Sequence, residues 1–188
     1  MKAVVVYESM YGNTHAVANA IGDGLRAEAE VIVVPVERAL PDVVAGCDLL
    51  VVGGPTHVHG MSRRSTRQSA IEAAAEPDTH LDVDPDAEGP GLREWFDGLV
   101  DAAPDAAAFD TRIPGPSLIT GRASKGIAKR LRAHGATLVV DPRSFLVEKD
   151  QHLRPEELEE ARGWGARLGR AMAVRLPHSD PARDARSR

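Results

Sequence analysis

Hydrophobic positions follow two alternating rhythms along this chain. Short continuous apolar runs occur at Ala3-Val4-Val5-Val6-Tyr7, Val31 to Val34, Leu49 to Val52, Ala106 to Thr111 and Thr137 to Val140. Between them, apolar residues recur at steps of three and four, which is the spacing of one helix face. Val17, Ala20, Ile21, Gly24 and Leu25 mark the first such face, and Leu92, Trp95, Phe96 and Leu99 another. A short helical stretch is expected around Leu40 to Val44. Lys125 to His134 reads as a helix stopped by Gly135. The last helix opens at Pro155-Glu156-Glu157 and runs to about Arg175, with Leu158, Ala161, Gly165, Leu168 and Met172 on one side. Its acidic start and arginine-rich end suit the helix dipole.

Strands that read as unbroken apolar runs and alternate with helices predict a parallel sheet covered on both faces. Five of them predict an α/β, doubly wound, five-stranded parallel sheet of order 2-1-3-4-5, in one domain over residues 1–175. Two segments fall outside this scheme. Residues 62–90 read as an insertion after the third strand, with Arg63-Arg64 at one end, an acidic stretch from Asp82 at the other, and a short helix at Ile71 to Ala75. Residues 176–188 are polar and are expected to form a disordered tail.

The first strand ends in a polar loop, Tyr7-Glu8-Ser9-Met10-Tyr11-Gly12-Asn13-Thr14, and the helical pattern starts at once. A strand, a glycine-containing loop and a helix start together form an anion site, because the first turn of a helix carries unpaired N–H groups and partial positive charge. Ser9, Asn13 and Thr14 add side-chain donors. The loop lacks the Gly-Lys-Ser/Thr ending of nucleoside triphosphate sites and the three spaced glycines of dinucleotide sites. It resembles the phosphate loop of the flavodoxin family, Ser/Thr-x-Thr/Tyr-Gly-Asn-Thr, with Ser9, Tyr11, Gly12, Asn13 and Thr14 at the matching positions.

That resemblance implies a flavodoxin-like fold and bound FMN. In the order 2-1-3-4-5, ligands sit in the crevice between the ends of the first and third strands. The segment after the third strand is unusual in kind: Gly53-Gly54-Pro55-Thr56-His57-Val58-His59-Gly60. Flavodoxin relatives of the quinone-reductase type have Pro-Thr-Arg-aromatic-Gly here. Pro55 and Thr56 match, His57, Val58 and His59 depart, and the ring-stacking aromatic is replaced by Val58. The resemblance makes Gly60 the flexible peptide beside the flavin. Two histidines two apart also admit a metal reading or that of a plain surface loop, but no third ligand lies nearby and no metal is expected. Asp110, Thr111 and Arg112 end the fourth strand where flavodoxins line the pyrimidine edge; an ordinary solvated turn is the competing reading. Thr120 to Gly126 looks phosphate-like, but it reads better as a helix start capped by Ser124 or Ser117 and is assigned no site.

Composition narrows the functional classes. The net charge is −5, so nucleic acid is not the expected partner. Cys47 is the only cysteine, which excludes an internal disulfide and a thiolate metal cluster; it reads as inert filling. Trp95 reads as core and Trp164 as half-buried. No run of eighteen apolar residues occurs, so no membrane span is expected; nor is a signal peptide, and a cytoplasmic location fits. The expected function is an FMN-binding, flavodoxin-like electron-transfer protein, serving partner proteins or a small-molecule electron acceptor. The alternative is an NAD(P)H-dependent FMN quinone reductase on the same fold, so whether the chain is an enzyme stays open. On the first reading no residue is catalytic.

Overall fold

Seven strands and six α-helices follow one another in the computed structural model, which describes residues 1–57, 60–76, 82–100, 102–116, 120–148 and 152–175. The strands are β1 (Lys2–Tyr7), β2 (Glu30–Pro35), β3 (Leu49–His57), β4 (Gly60–Met61), β5 (Asp105–Arg112), β6 (Thr137–Leu138) and β7 (Arg143–Leu146). The helices are α1 (Asn13–Leu25), α2 (Pro41–Val44), α3 (Arg64–Ala74), α4 (Leu92–Gly98), α5 (Ala123–Ala133) and α6 (Pro155–Arg175). Parallel pairing runs β2-β1-β3-β5-β6, which is the expected doubly wound order.

The expected fifth strand is split. β6 pairs with the start of β5, through Asp105↔Thr137 and Ala106↔Leu138, and β7 pairs with its end, from Phe109↔Arg143 to Arg112↔Leu146. Between the two pieces stands Pro142, which has no N–H to give a ladder.

Alternation along the strands sends side chains into two cores. Val4, Val6, Leu50, Val52, Ala106 and Ala108 meet Leu92 and Phe96 of α4 and Ile127 and Leu131 of α5. Ala3, Val5, Leu49, Val51, Ala107 and Phe109 meet α1 and α6 on the other face. Trp164, expected to be half-buried, is 4% exposed. It sits edge-on to Phe109 and Phe145, because β7 carries Phe145 into the same core as α6. Trp95 is only partly buried, and its indole N–H donates to the carbonyl of Ala39. Cys47 is buried, and burial pushes its thiol up to about 11.

α1 and α6 touch backbone to backbone. A Cβ on Gly24 would stand 2.0 Å from the carbonyl oxygen of Arg162, and one on Gly165 would stand 2.1 Å from that of Ile21. These glycines let the two helices pack in direct backbone contact.

Two expectations are corrected. The helix in the 62–90 segment is α3, which starts at Arg64 rather than Ile71. It is a polar surface helix with little apolar rhythm, and its start is held by Thr66, whose hydroxyl accepts the N–H of Arg63 and donates to the carbonyl of Arg63. The expected loop from Gly53 is strand as far as His57, because β5 continues beside it through Gly53↔Phe109, Gly54↔Asp110 and Pro55↔Thr111. The chain then returns antiparallel through Thr56↔Met61 and His57↔Gly60. Val58, His59 and residues 176–188 lie outside the described residues.

Candidate functional site

β1 and β3 end side by side at the switch point, and a cleft of about 520 Å³ opens there. This is within the usual range for cofactor and ligand pockets. Its walls include Tyr11, Asn13 and Thr14 from the start of α1, Pro55, Thr56 and His57 from β3, and Thr111 and Arg112 from β5. Two strands and the start of one helix therefore bring together most of the residues singled out in the sequence.

Gly12 makes the entry to α1 possible. Its φ is +79°, the left-handed region that a side chain disfavours, and it ends the loop without a side-chain cap on the helix. The first turn of α1 is thus open to an external anion. Ser9 lies in the same loop; its hydroxyl is buried and has no hydrogen-bond partner among the described residues. Thr14 is buried, with Oγ1 2.7 Å from Oγ1 of Thr111. If Thr111 donates, the hydroxyl proton of Thr14 is left to donate elsewhere. Tyr11 donates its hydroxyl to the carbonyl of Ala70, at 3.0 Å, which pins the loop to α3.

The opposite wall carries nitrogen atoms. His57 Nε2 is buried without a hydrogen-bond partner among the described residues, and burial, reinforced by the charge of Arg67, lowers the pKa of its imidazole. His57 is thus held neutral at pH 7. Arg112 donates through one terminal nitrogen to the carbonyls of Ile113 and Gly115 and to the Thr120 hydroxyl. None of these acceptors is a carboxylate, and Arg112 has no ion pair among the described residues.

Asp110 is placed differently. It is fully buried and is not part of the cleft wall. Its Oδ2 accepts the hydroxyl of Thr56 at 2.8 Å and the N–H of Ser124 at 3.1 Å, while Thr56 Oγ1 accepts the N–H of Ala123. Thr56 and Asp110 together cap the first turn of α5. Ser124, expected as a cap, lies inside that turn with its hydroxyl buried and unpartnered. Gly60 pairs with His57 in the hairpin and is not on the cleft wall.

The sequence missed one wall. Ser65, Thr66, Ser69 and Ala70 of α3 face the cleft, as do Met10, Ile113 and Val147. The helix-compatible spacing of Ser65 and Ser69 was the available signal. Glu8 was missed too. It is buried, Oε2 accepts the N–H of Leu92 at 2.8 Å, and burial raises the pKa of its carboxyl. It joins the phosphate loop to the start of α4.

Comparison with known proteins bears on the fold that carries this cleft. The flavodoxin family model matches residues 5–86, which contain the first loop, β3 and α3. A flavodoxin from the domain Archaea superposes with a TM-score of 0.61 at 22% identity, covering 92% of this chain and 99% of its own. Oxidised flavodoxin 1 from Bacillus cereus gives 0.62 at 19% identity, with coverages of 94% and 100%. The flavodoxin, WrbA-like protein from Agrobacterium tumefaciens gives 0.59 at 19%, with 93% and 99%. No curated protein matches by sequence. The flavodoxin family model thus matches the part of the chain that holds the loop after β1, and the fold along the chain's length is that of flavodoxins.

Proposed function

We propose that the protein binds FMN in the cleft at the switch point and serves as an electron carrier. The observation that carries this reading is the start of α1, where Gly12 has no side chain to cap the first turn and Asn13 and Thr14 line a cleft of cofactor size, with the buried Ser9 hydroxyl, unpartnered among the described residues, in the preceding loop. The residues present fit the group. The backbone N–H groups of the first turn, Ser9, Asn13 and Thr14 would hold the phosphate, and Thr111 would orient Thr14 by donating to it. Tyr11 and Gly12 shape the loop. Pro55, Thr56 and His57 would border the ring, with Val58, His59 and Gly60 following in the same segment of sequence. Thr111 and Arg112 would lie along its other edge, with Asp110 acting from behind by fixing Thr56. When bound, the flavin supplies reversible transfer of one or two electrons. The chain's part is to anchor the phosphate, exclude water and set the local charge. A redox partner protein or a small-molecule electron acceptor would take the electrons; among the solved structures of similar fold is a rubredoxin oxygen:oxidoreductase from Desulfovibrio gigas.

A second reading, an NAD(P)H-dependent FMN quinone reductase, is favoured by the wall that α3 adds with Ser65, Thr66 and Ser69. The experiment is direct. The purified protein should be yellow, or become so with FMN, and mass spectrometry of the released chromophore should give FMN. Failure to take up FMN overturns both readings. Steady turnover of NADPH with a quinone selects the reductase, and its absence selects the carrier.

A further inference from the structure

Next to the phosphate loop, but outside the cleft, the segment after α3 returns to the body of the protein at Asp84. The N–H of Asp84 donates to the carbonyl of Met10 at 2.8 Å, and its side chain is 1% exposed. One carboxylate oxygen, Oδ1, accepts the N–H of Asp86 at 3.0 Å. The other, Oδ2, is buried and has no hydrogen bond. It faces Nδ1 of His15 at 3.4 Å, beyond the range of a good N–H···O bond. The His15 ring stacks on Tyr7, with centroids 4.6 Å apart and planes at 17°, so the imidazole is held in place. Asp86 completes the group. One of its oxygens accepts the hydroxyl of Tyr7 at 3.2 Å, and the other takes Arg38 at 3.1 Å.

One imidazole nitrogen and one oxygen from each of two carboxylates thus lie within 4.8 Å of one another. Ligands about 2.0–2.2 Å from a tetrahedral zinc ion stand roughly 3.3–3.6 Å apart. The His15–Asp84 separation has that length. Charge points the same way: two carboxylates face one Arg38, so the cluster is negative when His15 is neutral. A buried carboxylate oxygen without a partner is costly, and a divalent cation would offset that cost. Borderline nitrogen and oxygen donors suit zinc among the common divalent ions.

We propose that His15, Asp84 and Asp86 bind a zinc ion, with water in the fourth position on the solvent side. The Tyr7 hydroxyl orients Asp86, as a hydrogen-bonded neighbour of a ligand commonly does. The ion clips the segment around Asp84 to α1, one residue beyond Thr14. The site is independent of the flavin reading, since none of its residues lines the cleft.

The test uses the full chain, stripped with a chelator and measured both without and with FMN. Competition against a chromophoric chelator should give one Zn²⁺ per chain, and Co²⁺ should show the intense visible bands of a tetrahedral site. His15→Phe keeps an aromatic ring for the stack on Tyr7 but removes the nitrogen. It should weaken zinc binding more than about a hundredfold, beyond what loss of an outer-shell partner costs. Because His15 is partly exposed, this variant is expected to fold; its melting curve in the presence of chelator checks that. Asp84→Asn should give the same loss. No stoichiometric zinc in the wild type overturns the proposal and leaves an ion pair between His15 and Asp84. Equal zinc affinity in His15→Phe also overturns it, because the ion would then be held elsewhere.

Discussion

Two helices of this protein begin just beyond the C-terminal end of a strand, and their first turns have opposite fates. α1 follows β1, and α5 follows β5. Each begins after a segment rich in Gly, Ser, Thr and Asn or Lys, and each offers the positive end of a helix dipole. At α1 the entry residue is Gly12, which has no side chain to cap the turn, and the buried Ser9 hydroxyl has no hydrogen-bond partner among the described residues. At α5 the turn is already occupied, with Thr56 taking the N–H of Ala123 and the Asp110 carboxylate taking that of Ser124. One helix start is left for an external anion, and the other is satisfied by an internal one. A phosphate-like sequence is therefore not a phosphate site until the neighbouring strands have been placed.

The contrast is broken most severely at α5. Asp110→Ala would leave the Ser124 N–H and the Thr56 hydroxyl without their acceptor, at about 1–3 kcal/mol for each buried donor. The free energy of unfolding should fall by about 2–6 kcal/mol in denaturant titration if the two losses add. A change within error would mean that Asp110 does not hold α5.

The matching change at α1 should affect binding rather than folding. Thr14→Val removes a charge-assisted donor to the phosphate, worth roughly 1.5–3 kcal/mol. FMN should then bind about ten- to a hundredfold more weakly, by fluorescence titration. Riboflavin, which has no phosphate, should bind the variant and the wild type alike. An unchanged FMN affinity would remove Thr14 from the anion site.

Arg112 sharpens the comparison from the side of β5, where the cation faces the cleft while its neighbour Asp110 faces inward. A nearby positive charge favours reduction of the flavin to an anion, the more so where solvent screening is weak. Arg112→Gln should lower the flavin's reduction potential, by about 60 mV for each 1.4 kcal/mol lost in a one-electron step. Titration against a reference dye measures it, and an unmoved potential would make Arg112 only an anchor for the Ile113–Gly115 turn.

The smallest effect concerns His57. Its pKa in the folded protein is lowered by burial and by Arg67, so the unfolded chain binds the proton more tightly. Its contribution to stability is present above the unfolded value of about 6.5 and is lost as pH falls through the folded value. Glu8, whose pKa is raised, works in the opposite sense, so the informative quantity is a difference. His57→Gln should lose less stability than the wild type between neutral and mildly acidic pH. Parallel curves for the two proteins would show that His57 is not held neutral by the fold.

Much of this arrangement was readable from residues alone. The β1 loop is local: Gly12 at a left-handed turn, Asn13 and Thr14 at a helix start, and an apolar strand before them are neighbours in sequence, so their geometry follows from backbone preferences. The bounds of α6 and the break after Ala133 at Gly135 are local for the same reason, resting on period and on glycine, while the strand order followed from the alternation of strands with helices. The placement of Asp110 was not local. Strand alternation and the eight-residue length of β5 turn it toward α5 and turn Thr111 toward α1, where it meets Thr14 across 97 positions of chain. The polar α3 wall, the burial of Trp164 beside Phe109 and Phe145, and the meeting of His15 with Asp84 and Asp86 likewise join distant segments. Backbone propensity and hydrophobic period act over a few residues, and they determined the elements and the turn at Gly12. Which buried polar group finds a partner depends on what the sheet brings within 3 Å, and that was decided only by the packed tertiary structure.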